Sequence, residues 1–353
     1  MYNCIITDTH FGIKSDSKLF HSYKRKVLDN LILPEIQRRR SQIDRIILSG
    51  DIFDKRGTVN FSTLQFAKDS FFDKIKDFPV DIILGNHDCY YKNTNELNSA
   101  SLLLNEYKNI SIYSEATEVQ DCLYIPWITV ENSEDTFKKI KKSKSKYVIG
   151  HLEIAGYTMF RGAICDGGLN SDIFHKFDIV LSGHFHTKNS KGNIHYLGCP
   201  WDLIFTDADD VKGFHFFNTQ NGDLECVNNP YKIFKKYTYD DTYSEDVSDV
   251  LFSEEAYDEM KDTFVKIYVK NKTNPVFYDR YCEKLTEAKP AAINIIEEFQ
   301  EIEQIEKTAS LSDDTLDIIR RSINDYSDLV PQEEKKKALE TLLSELYIEA
   351  LHD

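Results

Sequence analysis

Residues 44 to 54 read Asp-Arg-Ile-Ile-Leu-Ser-Gly-Asp-Ile-Phe-Asp, an apolar run with β-branched residues that stops at a glycine and two carboxylates. Such a run reads as a buried strand that delivers Asp51 and Asp54 to its end. In an open α/β sheet, ligands bind outside the carboxyl ends of the strands, so polar residues at that point are candidates for chemistry. Other apolar runs in the chain finish in the same polar way.

Upstream, Cys4-Ile-Ile-Thr-Asp-Thr-His is a short strand ending in Asp8 and His10, two residues apart and therefore on one side. Phe11-Gly12 turns the chain toward a helical stretch from Ser17 to Arg40, the start of a β-α-β unit. Downstream, a helical stretch from Phe61 to Lys76 precedes the strand beginning at Pro79. There Gly85 permits a tight turn before Asn86, His87 and Asp88. A helix from Leu97 to Tyr107 leads to strands at Ile110 to Tyr113 and Cys122 to Trp127. Tyr147-Val-Ile-Gly-His-Leu-Glu ends at His151 and Glu153, and the strand from Phe177 ends at His184 and His186. Ile194 to Pro200, Gly213 to Asn218 and Leu224 to Val227 read as paired strands closing a second sheet.

The 353 residues suit a main domain of about 200 to 250 residues with an appendage. No apolar run approaches the roughly 18 to 20 residues that span a bilayer, and Met1 is not followed by a signal-peptide pattern. The expectation is an intracellular protein without a membrane segment. Seven scattered cysteines with no C-x-x-C pair fit reduced thiols. The net charge of −16 is unevenly spread: residues 1 to 240 hold 30 Lys plus Arg against 31 Asp plus Glu, and residues 241 to 353 hold 13 against 28. An acidic tail repels phosphate backbones, so any nucleic-acid contact belongs to the first part or to a basic partner. The clusters Lys24-Arg25-Lys26 and Arg38-Arg39-Arg40, and the basic run from Lys138 to Lys146, read as solvated helix surface, with contact to a nucleic-acid backbone as the minority reading.

The strand-end residues are Asp8, His10, Asp51, Asn86, His151, His184 and His186, with His87 and Asp54 nearby. One such histidine is most simply a hydrogen-bonded loop residue. Five of the ten histidines placed this way, beside three carboxylates, point instead to metal ligands. Imidazole, carboxylate and amide together suit manganese, iron or zinc, and too few thiols are placed to favour a structural zinc site. Seven ligands, one of them a carboxylate able to bridge, suit two ions roughly 3.5 to 4 Å apart that activate water and clamp a phosphate. His87 is then free to bind substrate and protonate a leaving oxygen.

The five motifs D-T-H, G-D-I-F-D, G-N-H-D, G-H-L-E and G-H-F-H, in that order, resemble the signature of calcineurin-like metallophosphoesterases over roughly residues 1 to 230. The resemblance implies a four-layer α-β-β-α sandwich with a small α+β cap domain and a C-terminal helical segment. It implies one ion held by Asp8, His10, Asp51 and His186 and a second by Asp51, Asn86, His151 and His184, with His87 catalytic. Asp54, Asp88 and Glu153 would support the ligands from behind. Within the superfamily the chain is most similar to SbcD-type (Mre family) nuclease subunits, above all the recombination endonuclease subunit of tailed phages. The D-T-H-F-G opening and the Y-L-G-C-P run at Tyr196 to Pro200 carry that likeness, with Cys199 in place of the usual serine. Asp54 stands where some relatives have a histidine that supports exonuclease action.

Past residue 230, strands at Ile233 to Tyr239 and Phe264 to Val269, a helix at Val276 to Glu287 and a strand at Ala292 to Phe299 make a small α+β domain, to residue 300. The resemblance implies a cap over bound DNA. In residues 301 to 353 an acidic linker precedes two helices, one capped by Ser312-Asp313 and one carrying Leu339, Leu342, Leu343, Leu346 and Tyr347 at spacings of three and four. That stripe suits either its own domain or a partner helix. By resemblance the partner is an SMC-like (SbcC-type) ATPase, and the nuclease subunit forms a homodimer through helices between residues 60 and 110. The implied function is manganese-dependent duplex 3′-to-5′ exonuclease and single-strand endonuclease action in DNA end processing, recombination and repair, in the cytoplasm, or the host cytoplasm if phage-encoded. The alternatives are a phosphomonoesterase or cyclic-nucleotide phosphodiesterase, and a non-catalytic interaction protein. A small substrate needs neither cap nor tail, and a non-catalytic relative would lack ligands.

Overall fold

Successive side chains on a strand point to opposite faces. On β1 (Tyr2–Ile6), β2 (Ile43–Ser49) and β3 (Val80–Ile83) each face therefore meets a different partner. The structure, a computed structural model, describes residues 1–160, 163–242 and 254–297. The strands that follow are β4 (Ile110–Tyr113), β5 (Thr117–Val119), β6 (Cys122–Ile125), β7 (Tyr147–His151), the short pair β8 (Thr158–Phe160) and β9 (Ala163–Ile164), and β10 (Ile179–Gly183). After them come β11 (Asn189–Lys191), β12 (Ile194–Tyr196), β13 (Gly213–Asn218) and β14 (Leu224–Asn228).

Two six-stranded sheets result, in the orders β14-β13-β1-β2-β3-β4 and β11-β12-β10-β7-β6-β5. β1 to β4 are mutually parallel, as are β6, β7, β10 and β12. Ile5, Ile47 and Ile83 face Tyr124, Ile149 and Leu181 in the layer between the sheets. Their alternating neighbours Cys4, Ile46, Leu48 and Ile82 pack outward with Phe20, Val27 and Phe66 of the covering helices. Leu123, Val148 and Val180 of the second sheet pack outward against Ile140 and Phe174. The order is helix, sheet, sheet, helix, the four layers expected of a metallophosphoesterase fold. Parallel strands in both sheets deliver their carboxyl ends to one edge, where Ser49 Oγ donates to Gly150 O at 2.6 Å across the two sheets.

Several expected elements differ. β13 and β14 belong to the first sheet, not the second: β13 pairs antiparallel with β1 and covers its free edge. The helix expected at Leu97 to Tyr107 is confined to Ser99–Leu103. Tyr90 N donates to Leu97 O at 2.9 Å, which holds Leu97 extended, and the Asn98 side chain caps Ser101 N. The stretch Phe61 to Lys76 breaks after Ser70 into a 3₁₀ turn at Phe72–Lys74. The stretch Ser17 to Arg40 passes through a π-helical segment, Leu28–Ile32, just before Pro34, which cannot donate to the turn before it.

Residues 234 to 297 add β15 (Phe234–Asp240), β16 (Phe264–Asn271), a helix at Pro275–Glu287 and β17 (Ala292–Ile296), with the three strands in one sheet. Phe234 and Phe264 pack against Phe20 with tilted rings, each at a ring distance of 5.9 Å. By packing, Met1–Ile267 and Asn271–Ile295 form one unit. The two expected terminal helices lie outside the described residues. No helix among the described residues is long and apolar enough to cross a membrane.

His215 on β13 is 5% exposed, and burial, helped by the positive charge of Lys188, pushes its pKa down to about 3. The unfolded chain takes up this proton near pH 6.5 while the folded chain refuses it, so stability must fall as pH drops below 6.5. The expected loss from this residue alone is about 1.5 kcal/mol between pH 6.5 and 5. Urea unfolding of the wild type and His215→Gln at both pH values checks it: the gap between the two proteins should move by that amount, and a constant gap would refute the assignment.

Candidate metal centre

The site is built on backbone that ordinary residues avoid. Asp8, His10, Asp51 and His184 have φ of 50°, 41°, 53° and 87°, in the left-handed region that costs a non-glycine residue on the order of 1 to 3 kcal/mol. Four residues strained in this way at one strand edge require surroundings that hold them, and the hydrogen bonds around them do so. His10 N donates to Asp51 O at 2.9 Å and His184 N to Asp8 Oδ1 at 3.0 Å. Asp88, fully buried, accepts at one carboxylate from the backbone N–H groups of Asp51, Ile52 and Gly85 at 2.8, 2.9 and 2.9 Å. It thereby ties the loop after β2 to the loop after β3. Gly85 is required there: a Cβ on it would lie 2.2 Å from Asp51 Oδ1.

Two donor groups assemble on this frame. Asp8, His10 and His186 form one and Asp51, His151 and His184 the other, the ligand atoms of each lying within 4.8 Å of one another. Asn86 joins the second, its Oδ1 being 3.0 Å from both His151 Nε2 and His184 Nδ1. Asp51 faces both groups: its Oδ2 is 3.6 Å from His10 Nε2 and 3.4 Å from His151 Nε2. His10 Nε2 and His186 Nε2 confront each other at 3.2 Å. Burial holds the pKa values of His10 and His186 below the ordinary value, and pushes that of His184 down to about 3 with help from the charge of His151. Neutral imidazoles turned toward one point with carboxylates offer lone pairs and few protons, an arrangement that fits divalent cations bound by nitrogen and oxygen.

Asp51 supplies the negative charge at the centre. Burial alone would raise its pKa, but attraction to His151, with His10 and His87, carries it well below the usual value. Asp8, where burial prevails over the attraction of His151, is pushed up to about 7. Burial disfavours the His151 imidazolium, yet Asp51 overcomes that and raises its pKa to about 9. The ring of His151 is oriented by the Ser49 carbonyl, 2.9 Å from Nδ1.

His87 stands beside the two groups and in neither. Its backbone N–H donates to Asp51 Oδ1 at 2.8 Å and its Nδ1 donates to the Asp54 carbonyl, which leaves Nε2 for a substrate. The Asp54 carboxylate lies 3.3 Å from His10 Nδ1. Glu153 does not join the cluster: in the loop beyond β7 its carbonyl accepts from Leu169 N, and its charge acts on Cys165 and on Tyr196 of β12.

Sequence reasoning missed three side chains. Lys24 is wholly buried, not solvated, and its Nζ donates to Thr9 O at 2.8 Å and to His10 O. The signal was available, since Lys24 shares the spacing of Phe20 and Val27 on the buried helix face. Lys212 donates to His186 O at 2.8 Å. Trp127 sets its ring 5.0 Å from that of His184.

Residues 4–188 match the calcineurin-like phosphoesterase family. Exonuclease subunit 1 of Enterobacteria phage T4 is 32% identical over 228 residues, 63% of this chain and 66% of that protein, so the chain spans just under two thirds of its length. Putative phosphoesterase 244L of Invertebrate iridescent virus 6 is 26% identical over 225 residues, 60% of this chain and 74% of that protein. A solved structure of an archaeal phosphodiesterase, 11% identical, covers 65% of this chain and 100% of its own, with a TM-score of 0.29.

Proposed function

The chain belongs to the calcineurin-like phosphoesterase family, and from that membership we propose that it is a metal-dependent DNA nuclease. The observation that carries the phosphoesterase chemistry is Asp51 Oδ2 set between His10 Nε2 and His151 Nε2, a carboxylate shared by two donor groups. What supports DNA as the substrate is the similarity to a phage exonuclease subunit.

Asp8, His10, Asp51 and His186 would hold one ion, and Asp51, Asn86, His151 and His184 the other, with manganese as the metal. Two such cations polarise phosphoryl oxygens and supply a nucleophilic water. The chain's own residues do the rest. Asp51 carries negative charge to the centre of the site. His87, held at Nδ1 by the Asp54 carbonyl, presents Nε2 to the leaving sugar oxygen and protonates it. Asp88 fixes the two loops that carry Asp51 and Asn86.

In this reading residues 1–230 are the nuclease domain, 231–300 cap the DNA, and 301–353 dock on an SMC-like (SbcC-type) ATPase. The activities are duplex 3′-to-5′ exonuclease and single-strand endonuclease, used in end processing, recombination, repair and replication, by a homodimer in the cytoplasm, the host's if phage-encoded.

Linear duplex and single-stranded DNA should be cleaved by the purified protein with manganese, cleavage should stop in excess chelator, and added manganese should restore it. A small phosphomonoester serves as the control substrate. Hydrolysis of the small ester with intact DNA would sink the nuclease reading in favour of a phosphatase.

A further inference from the structure

Two buried lysine amino groups stand directly behind one donor group. Lys24 Nζ donates to the carbonyls of Thr9 and His10, under the rings of Trp201 and Phe11 at 5.0 and 5.4 Å. Trp201 Nε1 also donates to Thr9 O, at 3.1 Å. Lys212 is 1% exposed and donates to His186 O at 2.8 Å, Asp207 Oδ1 at 2.7 Å and Asp210 Oδ2 at 3.4 Å. The carbonyls held in this way belong to His10 and His186, the two imidazoles of the group completed by Asp8. Among the described residues no lysine or arginine is recorded donating to a carbonyl of Asp51, Asn86, His151 or His184; there the Ser49 carbonyl and the Asp88 carboxylate orient the ligands instead.

Burying an ammonium is costly unless its protons are taken up, so two lysines spent on the backbone of two histidines call for a reason beyond packing. Geometry supplies one. His10 sits at φ 41°, a conformation it would leave if its carbonyl were released, swinging the ring away from His186. We propose that Lys24 and Lys212 are positioning residues that hold His10 and His186 at the separation one divalent cation needs, so that this ion's affinity, and not its neighbour's, depends on them. The proposal rests on the reading of the site as dinuclear.

The test is manganese titration of metal-stripped full-length protein by calorimetry and electron paramagnetic resonance, comparing wild type with Lys24→Met and Lys212→Met. Wild type should take two ions with a magnetically coupled signal. Each variant should bind one ion with affinity within about twofold of wild type and the other roughly 10- to 100-fold more weakly, the coupled signal giving way to that of an isolated ion. Equal weakening of both ions, or unchanged binding, would overturn the proposal. Tighter binding would overturn it as well, since removal of a repelling positive charge would then be the dominant effect. Melting in chelator identifies a variant that fails to fold; Lys24→Gln and Lys212→Gln, which keep a polar head in each pocket, then carry the comparison. Fewer than two ions on wild type would refute the dinuclear reading itself.

Discussion

Asp51→Asn is expected to reduce hydrolysis by roughly a thousandfold, the several kcal/mol that charge stabilisation at a two-ion centre supplies. Of the carboxylates, Asp51 comes nearest to both donor groups: its Oδ2 is 3.6 Å from His10 Nε2 and 3.4 Å from His151 Nε2, whereas Asp8 Oδ1 is 3.9 Å from His186 Nε2 and 4.0 Å from His151 Nδ1. An amide keeps the shape and one neutral oxygen but removes the charge and presents N–H protons to one side. The same charge raises the pKa of His151, so the variant should also alter the second donor group. Turnover with manganese, measured beside metal stoichiometry, checks the expectation. A variant that retained more than a tenth of wild-type turnover would show that Asp51 does not bridge.

His87→Ala is expected to lose on the order of 10² to 10⁴ in rate, the usual contribution of a positioned general acid, while metal binding persists. The ring belongs to neither donor group, and its Nδ1 is engaged by the Asp54 carbonyl. Nε2 is the ring atom left to meet the leaving oxygen. A proton donor matters most when the leaving group is basic. The deficit should therefore be large on DNA, whose leaving group is a sugar alkoxide, and small on a p-nitrophenyl phosphodiester. An equal deficit on both substrates would assign His87 to substrate binding instead.

Much of the site was legible because its residues lie where local patterns end. Apolar runs of strand length stop at Asp8, Asp51, Asn86, His151 and His184, and parallel strands gather such ends at one edge. Glu153 has the same local signature as Asp51, a carboxylate just beyond a strand, yet turns into the loop shared with Cys165. Which way a residue past a strand end faces depends on the loop's path, which spacing does not encode. The triplet Lys24-Arg25-Lys26 shows the complementary difficulty. Charge suggests solvent, but Lys24 falls on the helix face that carries Phe20 and Val27, and its burial is made tolerable by the carbonyls of Thr9 and His10 beneath that face, which take up its protons.

By itself the sequence determined the strand ends, the order of the motifs and the side-chain types they carry, because side-chain period and turn residues are local properties. The tertiary structure decided that β13 and β14 extend the first sheet, since an open edge on β1 is a property of the whole sheet and not of the strand that fills it. It decided that Asp51 faces both donor groups and that two lysines stand behind one of them. Those relations join residues as far apart as His10 and His186, and only the packing of one sheet upon the other sets such distances.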